Sequence, residues 1–541
     1  MPAEVKIEGD ELAVHFETFG IDNYELFLKV KSLPEYQLAY DKERETYRVT
    51  APARFADMLG VAVKREVKSI LPFPEWIYDD QEWIVRRFLD VKRFACWAGC
   101  GLGKTFVIFE AARQVNHLTG GRSLIVTRNE IIPQMLEMSK QFYGDTLPIV
   151  RLHHRDEMKD WCKSGPGNLA ITNYEKFNHK TAADQVVNEI RHLSLLALDE
   201  SSRLAQGAGR QKWALIKSSK GVPYKLSCTA TPAPNDLMEF ASQASFLEKM
   251  KTEQDVIWTF FAKNKAGEWT VKRHAREAFY SWMASWSIYL MDPRKFGWRK
   301  KSWVEVPPAV VIRHDIDITP EQQEYIAKLC VDKSGQMSMI DDSKKGIVTR
   351  SKLSQVAKGF IYRQHNGKRL THFIPSMKPL AVARIAQSEC SKGFQTLVWT
   401  VFDAESDLIA EELRKLGVPF DLLVGKVKEH DRVGILERFR KGTCPLLVSR
   451  AEMVGFGSNF QKCRSMIYSG WNDSYIAFYQ SRKRAERQGQ LYSVRVHIPV
   501  IPGLEGDVLE NLFIKEAHHL AMIDQMEGQY VKIIQEEKKR A

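Results

Sequence analysis

The sequence predicts two α/β lobes in tandem, each on a parallel sheet, with a helical insertion between them and a small α+β domain in front. Three observations predict this. Short apolar runs, each ending at a polar or small residue, recur in two blocks, from about 77 to 245 and again after about 370. Helical patterns separate the runs within each block, which indicates parallel strands covered on both faces. A chain of 541 residues is also too long for one compact core, so three or four domains of ordinary size are expected.

The elements follow in order. In residues 1–72, "VKIEGDELAVHF" reads as a hairpin pivoting near Gly9-Asp10, and "ETYRVT" alternates as a strand does. The Pro-rich "LPFPEW" reads as a linker. Residues 73–245 hold "FACWA", "SLIVT", "LAITN", "LLALDE" and "YKLSCTA" as buried strands of a first lobe, with ligand-binding residues expected at their carboxyl ends. Residues 246–370 break that rhythm and read as a mostly helical insertion. Between Lys263 and Trp303 it carries ten Lys/Arg against three acidic residues, interleaved with tryptophans. Residues 371–505 return to strands, "TLVWT", "DLLVG", "PLLVSR", "SMIYSG" and "SVRVHIPV", with "AESDLIAEELRKLG" a helix closed by Gly417. Residues 506–541 read as a C-terminal helical tail.

Composition narrows the class. Hydrophobic residues make up 44% and charged residues 27%, as in an ordinary globular chain. A net charge of +12 favours an acidic partner such as nucleic acid. The eight cysteines form no C-x-x-C pair, so neither a zinc ribbon nor a disulfide framework is expected. The N-terminus lacks the pattern of a signal peptide, and no run of about 18 apolar residues exists to span a membrane. A cytoplasmic enzyme with no membrane partner is the expectation.

The chemistry begins at "AGCGLGKT". Glycines there let backbone N–H groups approach phosphate oxygens at the start of a helix. Gly101 and Gly103 shape the turn, Lys104 would reach the β- and γ-phosphates of ATP, and Thr105 would hold Mg²⁺. An apolar strand then ends at Asp199-Glu200. Asp199 would hold the Mg²⁺ shell, and Glu200 would accept a proton from the attacking water. Thr229 and Thr231 in "CTATP" place hydroxyls at another strand end, where they would couple ATP turnover to movement. In "YQSRKRAERQGQ", Arg484 and Arg487 are spaced for one face of a helix, with Gln480 one turn earlier. Bidentate guanidinium groups stabilise charge on a transferring phosphate.

Together "AGCGLGKT", "LDESS", "TATP", "GFGSN" and "QSRKRAERQGQ" resemble the superfamily 2 helicase-translocases. The last motif matches the Swi/Snf-type form Q-x-x-x-R-x-x-R-x-G-Q, and the residues around it are most similar to phage-encoded members. The resemblance covers about residues 72–505. It implies two RecA-like lobes that clamp ATP, DNA across their upper faces, and Arg484 and Arg487 as fingers to the γ-phosphate. It further implies Gln81 as the adenine-reading glutamine and Gly455 and Gly457 as coupling and nucleotide-binding glycines of the second lobe. "DESS" departs from the DEAH and DEAD forms at its third and fourth positions, which are not thought to touch ATP.

The expected activity is an ATP-dependent DNA translocase or helicase acting on duplex or branched DNA with little sequence preference. An RNA helicase is disfavoured, because neither a D-E-A-D tetrad nor an H-R-I-G-R motif is present. A nucleic-acid-stimulated ATPase switch or clamp that never steps is the rival of another class. For DNA contact, the candidates are Lys272 and Arg273 in the basic insertion, and Arg44 and Arg48 in the front domain. That domain resembles the HARP-type accessory domains of fork-remodelling translocases. The aromatics of "AFYSWMASWSIYL" are spaced as core. Protein partners and oligomeric state are left open.

Overall fold

All ten apolar runs form strands in the computed structural model. It describes residues 5–8, 11–16, 21–31, 33, 36–42, 46–52, 59, 69–178, 187–204, 209–233, 237–264, 267, 269–298, 306–330, 343–365, 368–425, 427–450, 453–454, 460–470, 475–487 and 489–540. The chain divides into two compact units, Met1–Arg299 with Gln525–Ala541, and Lys300–Asp524.

The first unit opens with a four-stranded antiparallel sheet in the order β1–β2–β4–β3: β1 Val5–Glu8, β2 Glu11–Phe16, β3 Gln37–Asp41 and β4 Thr46–Pro52. Leu12, Val14 and Phe16 alternate onto one face and meet Val49 and Ala51 across the ladder. The helix Ile21–Lys31 contributes Val30 to that core. The outer strand β3 is almost wholly exposed. The segment read as a linker is held to the lobe that follows: Gln114 exchanges two hydrogen bonds with the backbone of Leu71, each 2.9 Å. Trp76 sits among Phe106, Phe142 and Tyr143.

The first lobe is one seven-stranded sheet, every ladder parallel, in the order β13–β5–β10–β9–β6–β8–β7. Its strands are β5 Arg93–Ala98, β6 Ser123–Thr127, β7 Val150–Arg151, β8 Leu169–Asn173, β9 Leu195–Leu198, β10 Tyr224–Thr229 and β13 Ser287–Leu290. Residues on both faces of β5, β6 and β9 are buried, which is why these strands are apolar throughout instead of alternating. A two-stranded antiparallel ribbon, β11 Phe261–Lys263 with β12 Trp269–Val271, precedes β13.

The second unit holds a six-stranded parallel sheet in the order β14–β21–β20–β17–β19–β18. Its strands are β14 Val310–Asp315, β17 Thr396–Thr400, β18 Asp421–Leu423, β19 Leu446–Arg450, β20 Ser465–Tyr468 and β21 Arg495–Val500. A hairpin, β15 Phe360–His365 with β16 Lys368–Phe373, stands outside this sheet. Val398, Val448 and Ile467 on adjacent strands pack against Val382, Ala386, Ile409 and Leu413 of two covering helices.

Residues 246–370 are not a separate insertion. β13 adds to the first sheet beside β5, and β14 adds to the second beside β21. The sequence hid β13 because "WMASWSIYL" reads as one largely apolar run in which helix passes into strand across a two-residue turn, Ser285-Trp286, with no glycine or proline to mark it. Its aromatics are core as expected: Phe279, Trp286 and Tyr289 are fully buried. The tail differs too. A single helix, Pro502–Arg540, replaces the expected break near 505, and its last part belongs to the first unit. There the buried Glu527 accepts the N–H groups of Met291 and Asp292, both at 2.8 Å, and pairs with Lys295 at 2.9 Å. Tyr530 hydrogen-bonds Ser287 of β13.

Within the second unit, Glu505 lies between Lys358 (2.6 Å) and Lys378, all three buried. Burial drives the Lys378 ammonium down to about 8, against the opposing pull of Glu505. Removing only the carboxylate charge takes away the counter-charge that two buried ammonium groups share. Glu505→Gln should therefore cost about 3–5 kcal/mol in the unfolding of this unit, whereas replacing all three by apolar residues of similar volume should restore most of it. Glu527→Ala should destabilise the first unit by about 2–4 kcal/mol by orphaning two strand-end amides, with Glu527→Gln milder. Denaturant unfolding followed separately for each unit checks both.

Candidate active site

Strand β5 ends at Ala98, and the helix Lys104–Thr119 starts after five intervening residues. Gly101 and Gly103 take φ of 85° and 74°, the left-handed region that favours glycine. A Cβ at Gly103 would also lie 2.2 Å from Nε2 of Gln81. The buried Gln81 donates from Nε2 to the carbonyl of Leu102 at 3.2 Å and accepts the N–H of Tyr78 at 3.2 Å. Gln81 thus braces the glycine turn, and its amide keeps one further N–H and one lone pair. Lys104 Nζ donates to the carbonyls of Ala98 (2.9 Å) and Gly99 (3.1 Å), folded along its own loop. Thr105 is half-buried in the first turn of the helix.

Two strands away, Asp199 and Glu200 follow the end of β9. Asp199 Oδ2 accepts the hydroxyl of Thr127 at 2.9 Å, and its carbonyl accepts Tyr174 Oη at 2.7 Å. Burial pushes the Asp199 carboxyl up to about 6 and the Glu200 charge adds to that, while Thr127 and Lys104 pull it back. Glu200 has φ of 51°, outside the usual range for a residue with a Cβ. One of its carboxylate oxygens is buried with no hydrogen-bond partner among the described residues. A base with an unused lone pair can accept a proton from water.

Thr229 and Thr231 close the same edge. Thr229 ends β10, and its hydroxyl accepts the N–H of Thr231 at 3.2 Å. Ser227 of β10 joins Ser201 at 2.9 Å and Gln243, and Gln243 Nε2 donates to the carbonyl of Ser201 at 2.9 Å. The third residue of "DESS" therefore ties the end of β9 to β10. The motif pattern gives no signal for this, nor for Tyr174. Arg128, just past β6, was also missed. Burial lowers its guanidinium pKa, and the neighbouring Glu200 charge raises it.

In the second lobe the helix Tyr475–Arg482 carries Gln480, whose Nε2 is buried with no hydrogen-bond partner among the described residues. The arginines do not share that helix, as their spacing led one to expect. The helix stops at Arg482, and tighter bonds follow, Arg484 N to Ser481 O and Arg487 N to Ala485 O. Arg484 is buried in these turns and Arg487 half-buried. Their base is fixed from both sides. Arg482 pairs with Glu486 (2.9 Å) and Glu516 (2.7 Å), and Lys483 with Glu486 (2.9 Å). The closing Gly-Gln is structural: Gly489 sits at φ 92°, and Gln490 Nε2 donates to the carbonyls of Gln461 and Cys463, both at 3.0 Å. Gly455 and Gly457 lie outside the described residues, as does Arg44.

Of the nucleic-acid candidates, Arg48 is half-buried on β4 opposite His15. Arg273 is exposed. Lys272 serves the fold instead. Its ammonium donates to the carbonyls of Trp258 (2.6 Å) and Thr259 (3.1 Å), the last turn of the helix Glu253–Phe260.

Residues 76–234 match the family model of the type III restriction enzyme res subunit, and residues 377–489 match that of the helicase conserved C-terminal domain. Over 182 residues the chain is 25% identical to protein p41 of Acyrthosiphon pisum secondary endosymbiont phage 1, an alignment covering 31% of this chain and 38% of that relative's length. Among solved structures it is similar to the Sulfolobus solfataricus SWI2/SNF2 ATPase core in complex with dsDNA, at 17% identity and a TM-score of 0.39, covering 84% of this chain and 97% of that one. The two family models fall in order on the segments that carry Lys104, Asp199 and Glu200, and then Gln480, Arg484 and Arg487. This chain belongs to the superfamily 2 helicases, with the Swi/Snf-like form of the last motif.

Proposed function

We propose that the chain is an ATP-dependent DNA translocase or helicase that hydrolyses ATP to ADP and phosphate and acts on duplex or branched DNA in the cytoplasm. The observation that carries this reading is the convergence of Lys104, Thr105, Asp199, Glu200 and Thr229 on the carboxyl ends of β5, β9 and β10 in one sheet. Charge and motif choose the partner. A net +12 suits a polyanion, and the Q-x-x-x-R-x-x-R-x-G-Q form is the Swi/Snf one.

The residues present fit magnesium. Thr105 offers a hydroxyl, and Asp199 is a buried carboxylate beside the Glu200 charge, a pair that a cation would offset. Thr105 and Asp199 would hold the ion, which when bound neutralises phosphate charge. The chain supplies the rest. Lys104 exchanges two loop carbonyls for phosphate oxygens, and the N–H groups around Gly101 and Gly103 cradle them. Glu200 takes a proton from the water that attacks the γ-phosphorus, as the bond from that phosphorus to the β–γ bridging oxygen breaks. Arg484 and Arg487 take the finger roles that their motif implies, with Gln480 in the same motif. Grip on the phosphate backbone carries no sequence code, which supports little sequence preference.

ATPase rates measured with no nucleic acid, single-stranded DNA, duplex DNA, a forked junction and RNA test this directly. Duplex or fork should stimulate turnover, and Glu200→Gln should lower it about 100-fold or more while nucleotide still binds. Stimulation by RNA alone, or by nothing, would overturn the DNA reading. Affinity for duplex should fall steeply with salt, in proportion to the phosphates neutralised.

Asp199 sets a pH dependence. Its folded pKa, about 6, lies above the ordinary carboxylate value, so ionising it costs stability at neutral pH. That cost is relieved as pH falls through 6 toward 4. Protons and magnesium compete for the same oxygens. The thermal stabilisation conferred by Mg-ATP should accordingly shrink between pH 7.5 and pH 5.5, and Asp199→Asn should flatten the change.

A further inference from the structure

The first lobe carries a second feature that the nucleotide chemistry does not use. The helix Glu253–Phe260 runs into the ribbon β11–β12, and the two are built as one piece. Phe260 stacks on Trp282 with ring centres 5.0 Å apart, and Phe261 meets the edge of Phe279 at 5.5 Å. Lys272 then closes the unit: its N–H bonds the carbonyl of Phe260 at 2.8 Å, and its ammonium holds the last carbonyls of the helix. What this rigid base presents outward is aromatic and basic. Trp258 is 66% exposed on the helix that Lys272 caps. Lys263 lies over the Trp269 ring at 5.5 Å, and Lys263, Arg273 and Arg276 are all exposed, with Glu277 the exposed acidic neighbour.

The ribbon is also linked to the coupling motif. β12 packs against the turn Leu237–Glu239, which follows closely on Thr229–Pro232.

We propose that this helix end and ribbon form a further nucleic-acid contact for unpaired nucleotides. In it Trp258 stacks on an exposed base, and Lys263, Arg273 and Arg276 take the flanking phosphates. The inference rests on the motor reading above and deepens it. A bare indole offers nothing to a paired base inside a duplex, but it is a stacking platform for one that has left its partner. The arrangement thus fits a strand emerging from a junction, not the uninterrupted double helix.

Fluorescence anisotropy of the full chain, with a labelled oligothymidine and a blunt duplex, tests it. Trp258→Ala should weaken oligothymidine binding about ten-fold, with Trp258→Phe recovering most of that and the duplex affinity moving by less than about two-fold. Lys263→Gln with Arg273→Gln should lower the salt dependence of oligothymidine binding. Equal losses on both ligands, or no loss on either, would overturn the proposal. Circular dichroism verifies that Trp258→Ala folds; if it does not, the charge pair decides, and an unchanged salt dependence of its oligothymidine binding overturns the proposal. If duplex stimulates the wild-type ATPase but Trp258→Ala and the charge pair bind oligothymidine as the wild type does, only the ribbon contact fails. If no nucleic acid stimulates the wild-type ATPase, the motor reading fails and the ribbon contact with it.

Discussion

The parallel ladder of β5, β10, β9 and β6 is the constraint on which the candidate site depends. Parallel pairing forces every crossover to return to the same end, so each strand releases its chain at one edge. The register places Thr229 beside Trp97 and Val126 beside Leu198, and the residues just past those pairs are the chemical ones. Shifting one strand by two residues would keep its apolar face buried and still separate Asp199 from Thr127. The side-chain bonds from Thr127 to Asp199 and from Ser227 to Ser201 pin that alignment, and they lie wholly inside the protein.

Around this edge the protein accepts local costs of several kinds. Glu200 occupies a left-handed conformation, Asp199 is buried beside a like charge, and one carboxylate oxygen goes without a donor among the described residues. Some other buried charges are better served: Lys225 meets Glu248, Ser219 and a backbone carbonyl. A left-handed backbone, a buried like-charge pair and an unpartnered carboxylate oxygen on two adjacent residues at a strand end suit a site that takes a charged ligand.

Much of this was legible in the sequence, for physical reasons that differ between elements. The ten buried strands announced themselves because a parallel sheet covered on both faces needs continuous apolar runs. The glycine turn was legible because its φ values and the close approach of Gln81 leave no room for a side chain. Strand β13 was illegible because its residues are as apolar as the helix before it. The turn that holds Arg484 and Arg487 was read as helix because three-residue spacing suits both a helix face and successive tight turns. Ser201, Tyr174 and Arg128 were missed because each acts on a neighbour distant in sequence. Lys272, expected on phosphate, holds a helix end instead. The difference between a basic residue at work inside the fold and one turned outward lies in geometry that composition does not record.

Glu527 and Tyr530 carry a consequence for how the molecule is made. They secure the edge strand β13, which pairs with the P-loop strand β5 and gives its Leu290 carbonyl to Gly99 of that loop. The ribosome makes β5 before any other strand of its sheet, and makes Glu527 and Tyr530 only after every strand of both sheets. The side chains that close the border of the first lobe are therefore made only after every strand of the second. A chain stopped between Val500 and Glu527 would hold every strand of both sheets yet lack the two side chains that fasten the border of the first.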